Sequence, residues 1–221
     1  MDNLFFNEEH KMIQKMARDF AKDEILPIAK ELDKNGSFPN EVLKKMGWRA
    51  SDTRRIDFEN MEIDYSDMRC SSKNRINELL KGLTLRRISI GALSVGTLIA
   101  AYEKAIIVFN KPINHFQSNN FKLADMATKI EASRLLVRNA SWLKDQGESF
   151  LKEAAMAKLY SSEAAMKITR DAIQIHGGYG YVHEYDVERL FRDAKILEIV
   201  EGSSEMQRLT ISREIIKDKS I

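Results

Sequence analysis

Residues 148–178 read ESFLKEAAMAKLYSSEAAMKITRDAIQIHGG. Alanine is the strongest helix former, and apolar residues recur here every three or four positions from Glu148 to His176. Gly177-Gly178 then ends the helix, as a glycine C-cap does. Upstream, the run from Asn74 to about Val108 carries Ile76, Leu79, Leu80, Leu83, Ile88, Ile90, Leu93 and Val95 at helical spacing. Within it, Gly91 and Gly96 either weaken the helix or let another helix come close. Between them, Asn114 to about Lys144 carries Phe121, Leu123, Met126, Ile130, Leu135 and Leu136, and stops before Gly147. Asn110-Lys111-Pro112 marks the turn between the first two. Three long amphipathic helices joined by short turns predict an all-α fold built as an antiparallel bundle. Shorter helices over Val187–Ala194 and Ser203–Ile216 complete it.

The first 73 residues read differently. Asn7 is an N-cap before Glu8-Glu9, whose charges suit a helix N-terminus. Met12, Ile13, Met16, Phe20, Ile25 and Ile28 keep helical spacing to about Leu32, with Pro27 kinking the helix or ending its first part. Gly36 and Pro39 mark a turn, and a short helix over Glu41–Met46 stops at Gly47. Ile56, Phe58, Met61 and Ile63 partly alternate with charged residues, which predicts one or two short strands over 54–63. Asp64–Lys73 is polar and reads as a loop. The domain reading is a helical segment over 1–47, a β or linker segment over 48–73, and the bundle over 74–221.

Lys and Arg number 35 against 33 Asp and Glu, so a net charge of +2 gives no reason to invoke nucleic acid. The lone Cys70 cannot form an intrachain disulfide, and Met1-Asp2-Asn3 opens no signal peptide. No apolar run approaches the roughly 20 residues that cross a bilayer. A cytoplasmic, reducing compartment without a membrane span is the expectation. His10, His115 and His183 lack metal-ligand spacing, and no nucleophile triad stands out.

Four blocks carry a family resemblance. They are Phe20–Ala29 with Phe38-Pro39 and Lys44-Lys45-Met46-Gly47; Gly47-Trp48-Arg49-Ala50-Ser51-Asp52-Thr53 with Phe58-Glu59-Asn60; Phe116-Gln117 with Phe121-Lys122-Leu123-Ala124-Asp125-Met126-Ala127; and Gln174–Tyr181 with Arg189–Ala194 and Ile199–Glu205. Together they resemble the acyl-CoA dehydrogenases, of the short-chain, butyryl-CoA type. The second block is similar to the last strands of that family's middle β-domain. Lys45-Met46-Gly47-Trp48 looks like a junction of two similar family sequences. The resemblance implies that most of the β-domain and part of the N-terminal helical domain are missing.

The same resemblance implies a site. In the family a carboxylate abstracts the proton α to a thioester while hydride leaves the β carbon for FAD. Glu201 matches that base. By spacing alone, a Glu before a helix is more often a stabiliser of the helix N-terminus. Ser203 and Glu205 match positions that meet the flavin and its ribityl-phosphate chain. Gln174 and Gly178 match positions that contact the adenine-diphosphate half of FAD held by a neighbouring subunit, although Gly-Gly-Tyr-Gly alone reads as a helix cap. Arg87, Gly202 and Arg208 match the acyl-CoA side, with Thr84 where the family keeps Asp. His176 reads as packing.

Two departures bear on activity. Ile106 stands where the family keeps an Arg that pairs with FAD phosphate, and Val108 replaces a polar residue. A truncated, acyl-CoA dehydrogenase-like helical protein with inefficient desaturation is therefore the first reading. An active FAD-dependent dehydrogenase using Glu201, and an acyl-CoA or lipid-binding module without redox chemistry, are the alternatives. Association into a homodimer or tetramer through the bundle is implied in each.

Overall fold

The computed structural model describes residues 7–35, 62, 75–108, 111–112 and 117–218. The chain divides into two compact units, Met1–Lys73 and Asn74–Ile221. In the first, α1 spans Glu8–Phe20 and α2 spans Leu26–Asn35. Asn7 caps α1 reciprocally: its side chain accepts the His10 N–H at 2.9 Å, and the His10 ring accepts the Asn7 N–H at 3.2 Å. Between α1 and α2 the backbone widens into a π-helical turn over Ala21–Ile25, where the Leu26 N–H reaches back to the Ala21 carbonyl. Pro27 has no N–H to offer the Asp23 carbonyl, and its ring crowds that carbonyl. The wider turn just before it absorbs both effects, so the helix continues to Asn35 and does not stop near Leu32. The helix expected over 41–46 and the loop and strands expected over 48–73 lie outside the described residues, apart from Glu62.

In the second unit, α3 spans Arg75–Ile106, α4 Gln117–Asp145, α5 Leu151–His176, α6 Val187–Leu197 and α7 Ser204–Asp218. Short 3-10 turns over Gly177–Tyr181 and His183–Tyr185 link α5 to α6. α3 ends two residues earlier than expected. Ile107-Val108 leave the helix to pair antiparallel with Lys111-Pro112, so two of the three residues expected in the turn lie in a short strand, and Asn110 lies outside the described residues. The β-branched pair fits that extended backbone.

α5 touches α3, α4, α6 and α7. Its buried side is made of small residues, among them Ala154, Ala157, Ser161, Ala165 and Ala172, which lets neighbouring helices approach. α3 turns Thr84, Arg87, Ser94, Leu98, Ala101 and Ala105 inward, a strict three-four alternation once Gly91 is included. By length and hydropathy alone, Gly82–Ile106 is long and apolar enough to cross a bilayer, contrary to the reading of the sequence. In this fold the same helix supplies Leu98, Ala101 and Ala105 to the core.

Gly91 and Gly96 separate the two roles foreseen for glycine. A Cβ on Gly91 would lie 2.9 Å from Val137 Cγ2, whereas one on Gly96 would meet nothing within 4 Å. Gly96→Ala should stabilise the unit by about 0.5–1 kcal/mol through helix propensity. Gly91→Ala has the same propensity gain but adds overpacking of about 1–3 kcal/mol, so its net effect is destabilising. Opposite shifts of the urea unfolding midpoint for the two variants check this.

Candidate functional site

The turn between α6 and α7 is built on two left-handed residues, Glu201 at φ 53° and Gly202 at φ 96°. Gly202 adopts this conformation freely; Glu201 does so at a cost of about 1–2 kcal/mol. A set of inward-facing hydrogen bonds holds the turn. Lys158 Nζ, from α5, donates to the Glu198 carbonyl at 3.0 Å and to the Gly202 carbonyl at 2.9 Å. Gln207 Nε2, from α7, donates to the Gly202 carbonyl at 2.8 Å and to the Glu201 carbonyl at 3.2 Å. The Ser204 N–H donates to the Glu198 carbonyl at 3.0 Å. Lys158 and Gln207 are fully buried. A side chain at 202 would collide with Gln207, because a Cβ there would lie 2.8 Å from Nε2.

With its main chain held inward, the Glu201 side chain stays 23% exposed, and Arg86 Nη1 lies 3.5 Å from Oε1. Arg86 itself is mostly exposed, at 68% of its side chain, so this pair is a weak, solvent-screened one. The next residue, Arg87, is buried, and its Nε and Nη1 have no hydrogen-bond partner. Desolvation lowers its pKa from the ordinary arginine value. Lys158 is lowered to about 8, first by desolvation and then by the positive charge of Arg87, with Glu198 opposing. Ser204 Oγ and Gln207 Oε1 are likewise buried without a partner. Cationic donors, a hydroxyl and an amide oxygen near the turn therefore have hydrogen-bonding capacity only partly used within the chain.

The residues expected on the flavin side fall into two groups. Ser203 precedes α7 and hydrogen-bonds Glu205. This bond, and then the backbone N–H of Glu205 itself, holds the Glu205 carboxyl below the usual carboxylate range. Gln174 and Gly178 lie exposed at the far end of α5. Sixteen residues of helix separate Gln174 from Lys158, about 24 Å at 1.5 Å per residue, so one chain does not bring the two groups together. Gly177, at φ 59°, is the C-cap foreseen, and its N–H reaches the Gln174 carbonyl. Ser203, the Gln174 amide and the open Gly178 backbone offer hydrogen-bonding groups at two separate places on the chain. No cation accompanies them at 106, where half-buried Ile106 stands, and Val108 packs in the core.

Two further residues are engaged within the chain. Arg208 pairs with Glu163 at 2.6 Å and ties α7 to α5. His176 is buried, with Nδ1 2.9 Å from the Ala172 carbonyl and its ring edge-on to Tyr185, which is a packing role. Reading the sequence missed Lys158, Gln207 and Arg86. Lys158 had a usable signal: it interrupts the inward stripe of Ala154, Ala155, Ser161 and Ser162 at the stripe's own spacing.

The family described as acyl-CoA dehydrogenase, C-terminal domain, matches residues 76–216, and the one described as acyl-CoA dehydrogenase, N-terminal domain, matches residues 7–49. A probable acyl-CoA dehydrogenase of Bacillus subtilis is 46% identical over 179 residues, covering 78% of this chain and 47% of its own length. The short-chain specific acyl-CoA dehydrogenase, mitochondrial, of Bos taurus is 42% identical, covering 78% of this chain and 43% of its own. The solved butyryl-CoA dehydrogenase of Megasphaera elsdenii superposes with a TM-score of 0.62 at 40% identity, over 65% of this chain and 39% of that one. The chain thus spans about half the length of the curated relatives it matches.

Proposed function

The chain belongs to the acyl-CoA dehydrogenase family, and on that premise we propose that its helical unit carries the proton-abstracting half of an acyl-CoA desaturation site, with Glu201 as the base. The observation that carries this reading is the strained turn at Glu201, tied down from within while the part-exposed carboxylate keeps only the weak pair with Arg86. A thioester α proton is weakly acidic, so its base must be held close and in line. Glu201 Oε takes that proton, and Gly202, having no side chain, lets Gln207 pack against the turn that holds it. Arg87, with unsatisfied guanidinium donors, binds the polar part of acyl-CoA. Arg208 contacts the ligand only by giving up Glu163.

FAD, when bound, supplies the hydride acceptor for the β carbon. Ser203 and Glu205 of one chain, with Gln174 and Gly178 of a second, would hold it, which makes a homodimer or a higher oligomer the working form. Losing one charge-assisted contact at Ile106 weakens binding by about 1.5–3 kcal/mol, or one to two decades in affinity. Desaturation by this chain is on this account inefficient. A second reading, a helical scaffold without redox chemistry, is favoured by the apolar Ile106 and by Val108 in the core. The reading places the protein in a reducing, cytoplasm-like compartment.

The test avoids the flavin. The full chain is incubated with butyryl-CoA in D2O, and deuterium at the α carbon is followed by mass spectrometry. Proton return from Glu201 gives slow α-deuteration, and Glu201→Gln lowers it by about 100-fold or more. Equal rates for the parent and Glu201→Gln would overturn the assignment of the base.

A further inference from the structure

We infer that Lys158 is the positioning residue for Glu201, setting the direction of its carboxylate through the main-chain carbonyls on either side of it. The inference rests on the reading of Glu201 as base and adds what aims it. Lys158 lies forty residues before Glu198 and forty-four before Gly202, yet its Nζ meets both carbonyls, one on each flank of Glu201. The Glu198 carbonyl also accepts the Ser204 N–H, so the same oxygen closes the turn from two directions.

Packing alone does not call for a lysine at this place. Its neighbours on the buried side of α5 are Ala154, Ala155, Ser161 and Ser162, and an apolar straight chain would fill the same space. What lysine adds is an ammonium at the end of a long stem, able to donate to two carbonyls that diverge around a left-handed residue. The charged groups facing it are Glu198 at the end of α6, Arg87 on α3, Glu163 on its own helix and Glu205 on α7. Gln207 binds Gly202 from the opposite helix but does not reach Glu198 in this structure, so the Glu198 carbonyl is held by Lys158 and the Ser204 N–H.

The experiment uses the full chain with Lys158→Met, which keeps the volume and removes the donors. Two signals are read by NMR: hydrogen exchange of the Ser204 amide, and the 13C carboxyl resonance of Glu201, assigned by its loss in Glu201→Gln. The expected result is exchange at Ser204 at least tenfold faster, with Ile130 on α4 unchanged, and a displaced Glu201 resonance. Adding Glu201→Gly restores Ser204 protection, because glycine adopts the positive φ without being held. Unchanged signals in a folded Lys158→Met protein overturn the inference, whatever the α-deuteration assay gives. If Lys158→Met does not fold, the double variant decides: recovery of the fold upholds the inference, and continued unfolding makes Lys158 a packing residue and overturns it. The expected changes at Ser204 and Glu201 in Lys158→Met, together with α-deuteration indifferent to Glu201→Gln, would sink the base and leave the positioning intact.

Discussion

Arg87→Met should make the helical unit more stable by about 1–3 kcal/mol, against the usual direction of core substitutions. A guanidinium taken out of water without a partner is destabilising, and Arg87 is buried with Nε and Nη1 unsatisfied. Methionine follows the same straight path and carries no charge. A second signature accompanies the first. Lys158 is held at about 8 in the fold, partly by Arg87, against 10.5 for an ordinary lysine. Between those values the unfolded chain binds more protons than the folded one, so this residue's contribution makes stability rise with pH across the window. Removing Arg87 lets the Lys158 value climb, so the window narrows and the gain from pH 8 to 10 shrinks. Urea unfolding of both proteins at the two pH values reads both effects. A loss of stability at pH 8 would show that the guanidinium is satisfied in the folded protein, and would count against an open anion-binding role. Weaker acyl-CoA binding in a more stable variant is the trade expected of a group kept for a ligand.

Lys158→Glu carries the largest effect, a loss of about 5 kcal/mol or more. The substitution removes both donors and sets a carboxylate against the Glu198 and Gly202 carbonyl oxygens in a site with no exposure. Stranding a charge in a buried place costs about 3–5 kcal/mol, and the abandoned carbonyls add their own desolvation. Against a typical total stability of about 5–15 kcal/mol, the helical unit should be largely unfolded at room temperature. Circular dichroism at 222 nm would read a loss of helix. A variant with parental helicity and melting temperature would mean that water reaches Lys158 Nζ.

What could be read from the sequence follows from how local each signal is. α5 and its cap were legible because alanine, period and Gly177 all lie within one stretch of chain. α3 was legible as a helix but its inward face was not, since Leu93 of the expected stripe is exposed while Thr84, Ser94, Leu98, Ala101 and Ala105 turn inward. Its end was not, because Ile106-Ile107-Val108 suit helix and strand about equally, and the pairing with Lys111-Pro112 decides between them. The site divides in the same way. Glu201 stood out through its neighbours in sequence, but its left-handed backbone has no signature, since glutamate seldom adopts it and only Gly202 hints at a turn. Lys158 could be placed on a buried stripe by counting. Its partners are carbonyls some forty residues away, and backbone acceptors carry no letter in the sequence.

Because the other four helices of the unit all lean on α5, the order of synthesis matters to the protein's early life. α3 and α4 leave the ribosome before it, with their shared inner side still bare. At about 5–20 residues per second, the 26 residues of α5 take roughly one to five seconds to add. For that interval the nascent chain holds a pair of long amphipathic helices with no third to close them, the form in which it is most open to chaperone capture or to sticking to a neighbour on the same messenger.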